Sequence, residues 1–181
     1  VAEQNQEDAP MSKQQKNVIS VLLENEAGAL ARVVGLFAQR GYNIESMTVA
    51  PTQDPTLSRL TLTTYAPAME QISKQLHKIV PVYKVMELSQ DTSYLEREIL
   101  LVKLRALGEY RAELKRLADI FNGKIVDVTA SSYTIELTGR SKEIDAFIRN
   151  FDNKNILEFA RSGITGLARG AKGFTIKSQE E

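Results

Sequence analysis

Asn25-Glu26-Ala27-Gly28 is the segment with the clearest chemistry. It joins an apolar run at residues 18–23 to an amphipathic stretch at residues 29–40. A strand, a glycine-bearing turn and a helix start in that order make a seat for a small anion such as an amino-acid carboxylate. The first-turn N–H groups of a helix have no partners inside it and carry the positive end of its dipole. Asn25, or Asn43 further along, could supply polar atoms near an ammonium group. Local pattern alone also allows a plainer reading, in which Asn25 caps the helix and Gly28 relieves crowding.

These residues need elements to hold them. Leu30, Val33, Val34 and Phe37 share one helical face, and Gly41 follows as a stop. Residues 42–50 and 57–64 are β-rich, separated by Pro51-Thr52-Gln53-Asp54-Pro55, a turn whose prolines cannot join a central ladder. Pro67 can open a second helix with Met69, Ile72, Leu76 and Ile79 on one stripe, closed by Pro81, and residues 82–88 form a last strand. The order β-α-β-β-α-β is the split βαβ pattern of ferredoxin-like folds.

The pattern then repeats: strands at 99–104, 124–129, 133–137 and 156–160, and helices at 110–121 and from Ser141. The reading is therefore α+β, with two tandem ferredoxin-like βαββαβ domains. Residues 1–16 read as a disordered tail, 17–89 as the first domain, 90–94 as a linker, 95–163 as the second domain and 164–181 as a flexible tail. Each unit has roughly 75 residues, small enough for dimerisation to help its stability.

Other chemistries find little support. The chain has 181 residues, of which 43% are hydrophobic, with 23 Lys plus Arg against 23 Asp plus Glu. Zero net charge argues against a nucleic-acid partner. The absence of Cys excludes disulfides, thiolate metal sites and Cys nucleophiles. No apolar run reaches the ~20 residues that span a bilayer. His77, the single histidine, lies off the apolar stripe of its helix and reads as a surface residue with no partner for base catalysis. The tail's Gly163, Arg169-Gly170 and Lys172-Gly173 do not spell a phosphate loop. Arg32, Leu36 and Arg40 form a row that is either solvated or a docking surface, and Glu96-Arg97-Glu98 reads as an exposed linker end.

Several words of the sequence resemble a known family: Leu22-Leu23-Glu24-Asn25-Glu26, Gly28-Ala29-Leu30, Arg40-Gly41-Tyr42-Asn43-Ile44-Glu45-Ser46, Thr48-Val49-Ala50-Pro51-Thr52 and Asp54-Pro55-Thr56-Leu57-Ser58-Arg59. Glu96-Arg97-Glu98, Ile125-Val126-Asp127-Val128-Thr129 and Ala160-Arg161-Ser162-Gly163 continue the match. The chain is similar to regulatory small subunits of acetolactate synthase, whose first domain is an ACT domain. Position 25 is Asn and position 27 is Ala, where general ACT domains often have Asp and Pro, and this narrows the match to that subgroup.

The resemblance implies a cytoplasmic, non-catalytic protein that activates a catalytic large subunit and confers feedback inhibition by a branched-chain amino acid, valine first. It implies a homodimer through ACT domains joined edge to edge, with the effector at the interface on Asn25, Glu26, Ala27, Gly28, Ala29, Leu30, Asn43 and Ile44. No cofactor is expected on this chain. Thiamine diphosphate, Mg²⁺ and FAD are expected on the large subunit.

Overall fold

The structure is a computed structural model that describes residues 16–65, 67, 69–89 and 94–174. In the first unit, β1 (Asn17–Glu24) leads to α1 (Ala29–Gln39), then β2 (Ser46–Pro51), β3 (Leu57–Thr64), α2 (Met69–Leu76) and β4 (Val82–Glu87). The sheet has the order β2-β3-β1-β4, with every neighbouring pair antiparallel. Two-residue alternation sends Ile19, Val21 and Leu23 of β1 towards the helices. There they meet Ala29, Val33 and Phe37 of α1, spaced four apart, and Met69, Ile72 and Leu76 of α2. Burying each large apolar side chain contributes ~1.5–3 kcal/mol, so this layer dominates the unit's stability.

The second unit follows the same plan with β5 (Tyr94–Arg105), α3 (Tyr110–Ile120), β6 (Lys124–Val128), β7 (Ser132–Gly139), α4 (Ser141–Ile148) and β8 (Ile156–Arg161). Its order is β6-β7-β5-β8. Phe147 of α4 packs on Phe121 and Phe151, ring centroids 5.2 and 4.9 Å away, over Leu100, Val102 and Leu104 of β5. The α+β reading with two tandem βαββαβ units is what the structure has.

Several boundaries differ from the sequence reading. The strand expected from residue 42 begins at Ser46; residues 43–45 before it have no regular structure, although Thr64 Oγ1 donates to the Asn43 carbonyl at 2.7 Å and Glu45 N–H to Thr63 O at 2.9 Å. Pro51 belongs to β2, where an edge strand tolerates a residue without an N–H. The second helix ends at Leu76, and Ile79 reaches the core from the following turn. His77 lies past the helix end and is exposed. The expected linker at 90–94 lies mostly outside the described residues, as does the tail at 1–15. Lys16 is described, half-buried, with its Nζ donating to Ser141 Oγ at 2.8 Å.

Two further differences change how the units are joined. Glu96-Arg97-Glu98 is not a linker end but part of β5, and Glu98 is only 5% exposed. The tail expected to be loose from residue 164 forms β9 (Thr165–Ala168), which pairs with the first residues of β5. Ile164, 1% exposed, packs with Val18 and Leu88 in a cluster that joins the two units. The outer face of the first sheet is therefore covered: Val18, Ser20, Thr61 and Thr63 are all buried there, although they face away from the helices.

Candidate functional site

The β1–α1 turn has the backbone that an anion seat needs. Gly28 is the residue before the helix and sits at φ 89°, a left-handed conformation that glycine adopts without a Cβ penalty. No side chain caps this helix start. Asn25 does something else: its N–H donates to Thr56 O at 2.7 Å and its Nδ2 to Pro55 O at 3.0 Å. Both bonds tie the β1–α1 turn to the β2–β3 turn, so the capping reading of Asn25 is corrected. The second turn is itself pinned by Asp54, whose Oδ1 accepts from the Thr56 N–H at 2.9 Å and from its Oγ1 at 2.6 Å. Those bonds hold the Asp54 carboxyl below its ordinary value.

Between the two turns lies a cavity of about 230 Å³. Leu23, Ala29 and Leu30 form one wall, and Val49, Ala50 and Pro51 from the end of β2 form the other. Glu24, Asn25, Glu26 and Ser58 supply the polar groups. Glu26 lies 3.9 Å from Arg32, an exposed contact that contributes little energy. Glu24 accepts from Tyr83 Oη at 3.3 Å. The Glu24 charge raises the Tyr83 phenol above its ordinary value. Two carboxylates at the rim suit an ammonium group, and the α1 N-terminus suits a carboxylate. The apolar walls between them suit an aliphatic side chain.

Asn25, Glu26, Ala29 and Leu30 line this cavity, and Ala27 and Gly28 lie exposed in the same turn. Asn43 and Ile44 do not line it. Asn43 is exposed at the approach to β2, with its Nδ2 donating to Glu45 Oε1 at 2.7 Å, while Ile44 packs against the first core. Sequence reasoning missed Leu23, Glu24, Val49, Ala50, Pro51 and Ser58 as site residues. Residues 49, 50 and 58 fall in the expected strands, but only the pairing of β2 with β3 brings them to the β1–α1 turn.

The Arg32–Leu36–Arg40 row follows α1. Both arginines are exposed and Leu36 is half-buried, packed on the first core. Among the described residues no cluster of three or more His, Cys, Asp or Glu could hold a metal ion, and no helix is long and apolar enough to cross a membrane.

Comparison with known proteins gives concordant matches. Residues 19–84 match the family described as the AHAS small subunit-like ACT domain, and residues 97–170 match the small subunit of acetolactate synthase. The acetolactate synthase small subunit of Haemophilus influenzae is 58% identical over 160 residues, covering 87% of this chain and 98% of that protein. The isozyme 3 small subunit of Escherichia coli is 57% identical over the same shares. Among solved structures, the acetolactate synthase small subunit of Thermotoga maritima superposes with a TM-score of 0.79 at 38% identity, covering 86% of this chain and 98% of that one.

Proposed function

The chain belongs to the acetolactate synthase small-subunit family, and on that premise we propose that it is the regulatory partner of a catalytic large subunit. It raises that subunit's activity and transmits feedback inhibition by a branched-chain amino acid, valine foremost. Catalysis, with thiamine diphosphate, Mg²⁺ and FAD, belongs to the large subunit, and the pair works in the cytoplasm.

The observation that carries the effector reading is the cavity between the β1–α1 turn and the end of β2. Its 230 Å³ falls below the ~300–1,000 Å³ of sites for drug-sized ligands, which favours a small metabolite. Its polar rim suits a zwitterion and its walls suit an aliphatic side chain. The eight residues Asn25, Glu26, Ala27, Gly28, Ala29, Leu30, Asn43 and Ile44 make up the proposed site.

Dimerisation would bring Asn43 to it. The outer side of β2 is a sheet edge, with Met47 and Val49 exposed on that strand. Two copies related by a two-fold axis would pair their β2 strands antiparallel. Antiparallel pairing sets the start of one β2 beside the end of the other. Asn43 and Ile44 of one copy then approach Val49, Ala50 and Pro51 of its mate, completing the cavity with a polar group.

Calorimetry on the full chain tests the reading. Valine should bind with measurable heat, and the chain with added cofactors should not turn over pyruvate. No heat with valine, leucine or isoleucine would remove the effector role, and turnover by the chain alone would remove the non-catalytic role.

A further inference from the structure

We infer that Ser162 and Gly163 are positioning residues for the effector cavity, acting through β2. The inference rests on the effector reading above and adds a control element that lies in the other unit of the chain.

β2 is an edge strand within one copy, with β3 as its strand neighbour in the sheet. On its outer face it meets the turn that follows β8. Thr48 Oγ1 donates to the Ser162 carbonyl at 3.0 Å. Gly163, at φ 79°, lies so close that a Cβ there would come within 2.9 Å of Ser46 Cβ and 3.3 Å of Thr48 Oγ1. Such an approach is open only to glycine, for both its conformation and its size.

The turn is held firmly on its own side. Ser162 N–H donates to Ile99 O at 3.0 Å, and the Ile99 N–H donates to Ser162 Oγ at 3.0 Å. Ile164 is buried in the cluster shared by the two units. The Ile99 bonds fasten the turn to β5 of the second unit, and Ile164 links it onward to Val18 and Leu88 of the first.

Side chains two apart on a strand share a face. Ser46, Thr48 and Ala50 form one such row on the face turned away from the helices, whereas Val49, opposite Leu60, points to the helix side; Val49, Ala50 and Pro51 together line the cavity. The seat for Gly163 and the cavity wall are thus on one short strand, one side-chain step apart. A shift of the second unit moves β2 at Thr48 and reshapes the wall at Val49, Ala50 and Pro51. By linkage, an effector that fixes that wall also fixes the seat.

The test uses the full chain and valine. Gly163→Ala introduces the colliding methyl. Thr48→Val removes the hydroxyl at nearly constant shape, and Thr48→Ser restores it. Gly170→Ala is the control for backbone strain, because Gly170 has φ 68° and a methyl there would meet nothing within 4 Å. Two readouts are taken: amide hydrogen exchange across residues 46–50 without ligand, and the valine Kd by calorimetry. Gly163→Ala and Thr48→Val should speed β2 exchange and raise the Kd about fivefold or more, the lower end of typical coupling between sites. Thr48→Ser and Gly170→Ala should behave as wild type. Thr48→Val keeps the question decidable if Gly163→Ala does not fold. Unchanged β2 exchange in the variants, or faster exchange with an unchanged Kd, overturns the inference alone. A wild-type chain that binds no branched-chain amino acid overturns the effector reading and this inference with it.

Discussion

Arg161 grips Glu98 along one edge of its guanidinium, with Nε donating to Oε1 at 3.2 Å and Nη2 to Oε2 at 2.6 Å. Nη1 donates to Asp145 Oδ1 at 2.8 Å, and Ser141 Oγ donates to Glu98 Oε2 at 2.9 Å. Burial alone would lower the Arg161 pKa, but the hydrogen bonds and charges of Glu98 and Asp145 outweigh it and raise it. The cluster ties β5, α4 and β8 together just before the Ser162–Gly163 turn.

Glu98 is buried, so removing its main partner strands a charge. Arg161→Met should lower stability by ~2–4 kcal/mol, near the ~3–5 kcal/mol of fully buried pairs because the guanidinium keeps some solvent contact. Glu98→Leu combined with Arg161→Met should recover most of the loss. Urea unfolding of the single and double variants checks this, and equal losses in both would contradict it.

Tyr94 gives a pH signature. Burial, reinforced by the hydrogen bond from its Oη to Glu96 Oε2 at 2.8 Å, raises its phenol well above the ordinary value of 10. Above about pH 10 the unfolded chain releases this proton while the folded chain keeps it, so stability falls as pH rises. Below that pH the group contributes no slope. Tyr94→Phe should flatten the fall between about pH 10 and 11 relative to wild type in thermal melts. An unchanged slope would show that Tyr94 is not its source.

The effector site predicts a separation of activities. A side chain at position 28 meets open space but is strained by the φ of 89°, so Gly28→Asp should still fold, less stable by ~1–2 kcal/mol, and place a negative charge where a carboxylate should sit. Asn43→Ala removes a polar partner for the amino-acid head and should weaken valine about tenfold, as the loss of a hydrogen bond to a charged group does. Both should keep activation of the large subunit. Inhibition curves that overlay wild type would reject the assigned site.

Helical stripes are local, so Val33 with Phe37 and Ile144 with Phe147 are readable from spacing, and with them the two βαββαβ units. The burial of Glu98 is not readable, since a charged residue is expected outside unless a partner exists, and Arg161 is 63 residues away. Asn25 reads as a cap because caps are local, yet its acceptor is the Pro55 carbonyl, 30 residues on. β9 is hidden from a local reading because Thr165–Ala168 is short, contains Gly166 and pairs only with an extension of β5.

That hidden strand changes what a truncation should do. A fragment ending near Ser89 retains its helix-side core but loses the cover that Ile164 gives to Val18 and Leu88. It should fold with lower stability and bind an apolar dye that the full chain does not. Dye binding equal to that of the full chain would mean that this cover contributes nothing.

Above all, this chain should activate a catalytic partner and make it answer to a branched-chain amino acid. The most direct measurement assays an acetolactate synthase large subunit with and without the full chain, each across a valine titration. The large subunit alone should show low, valine-indifferent activity, and the mixture raised, valine-inhibited activity. Equal activity with and without the chain, or raised activity that valine leaves untouched, would contradict this.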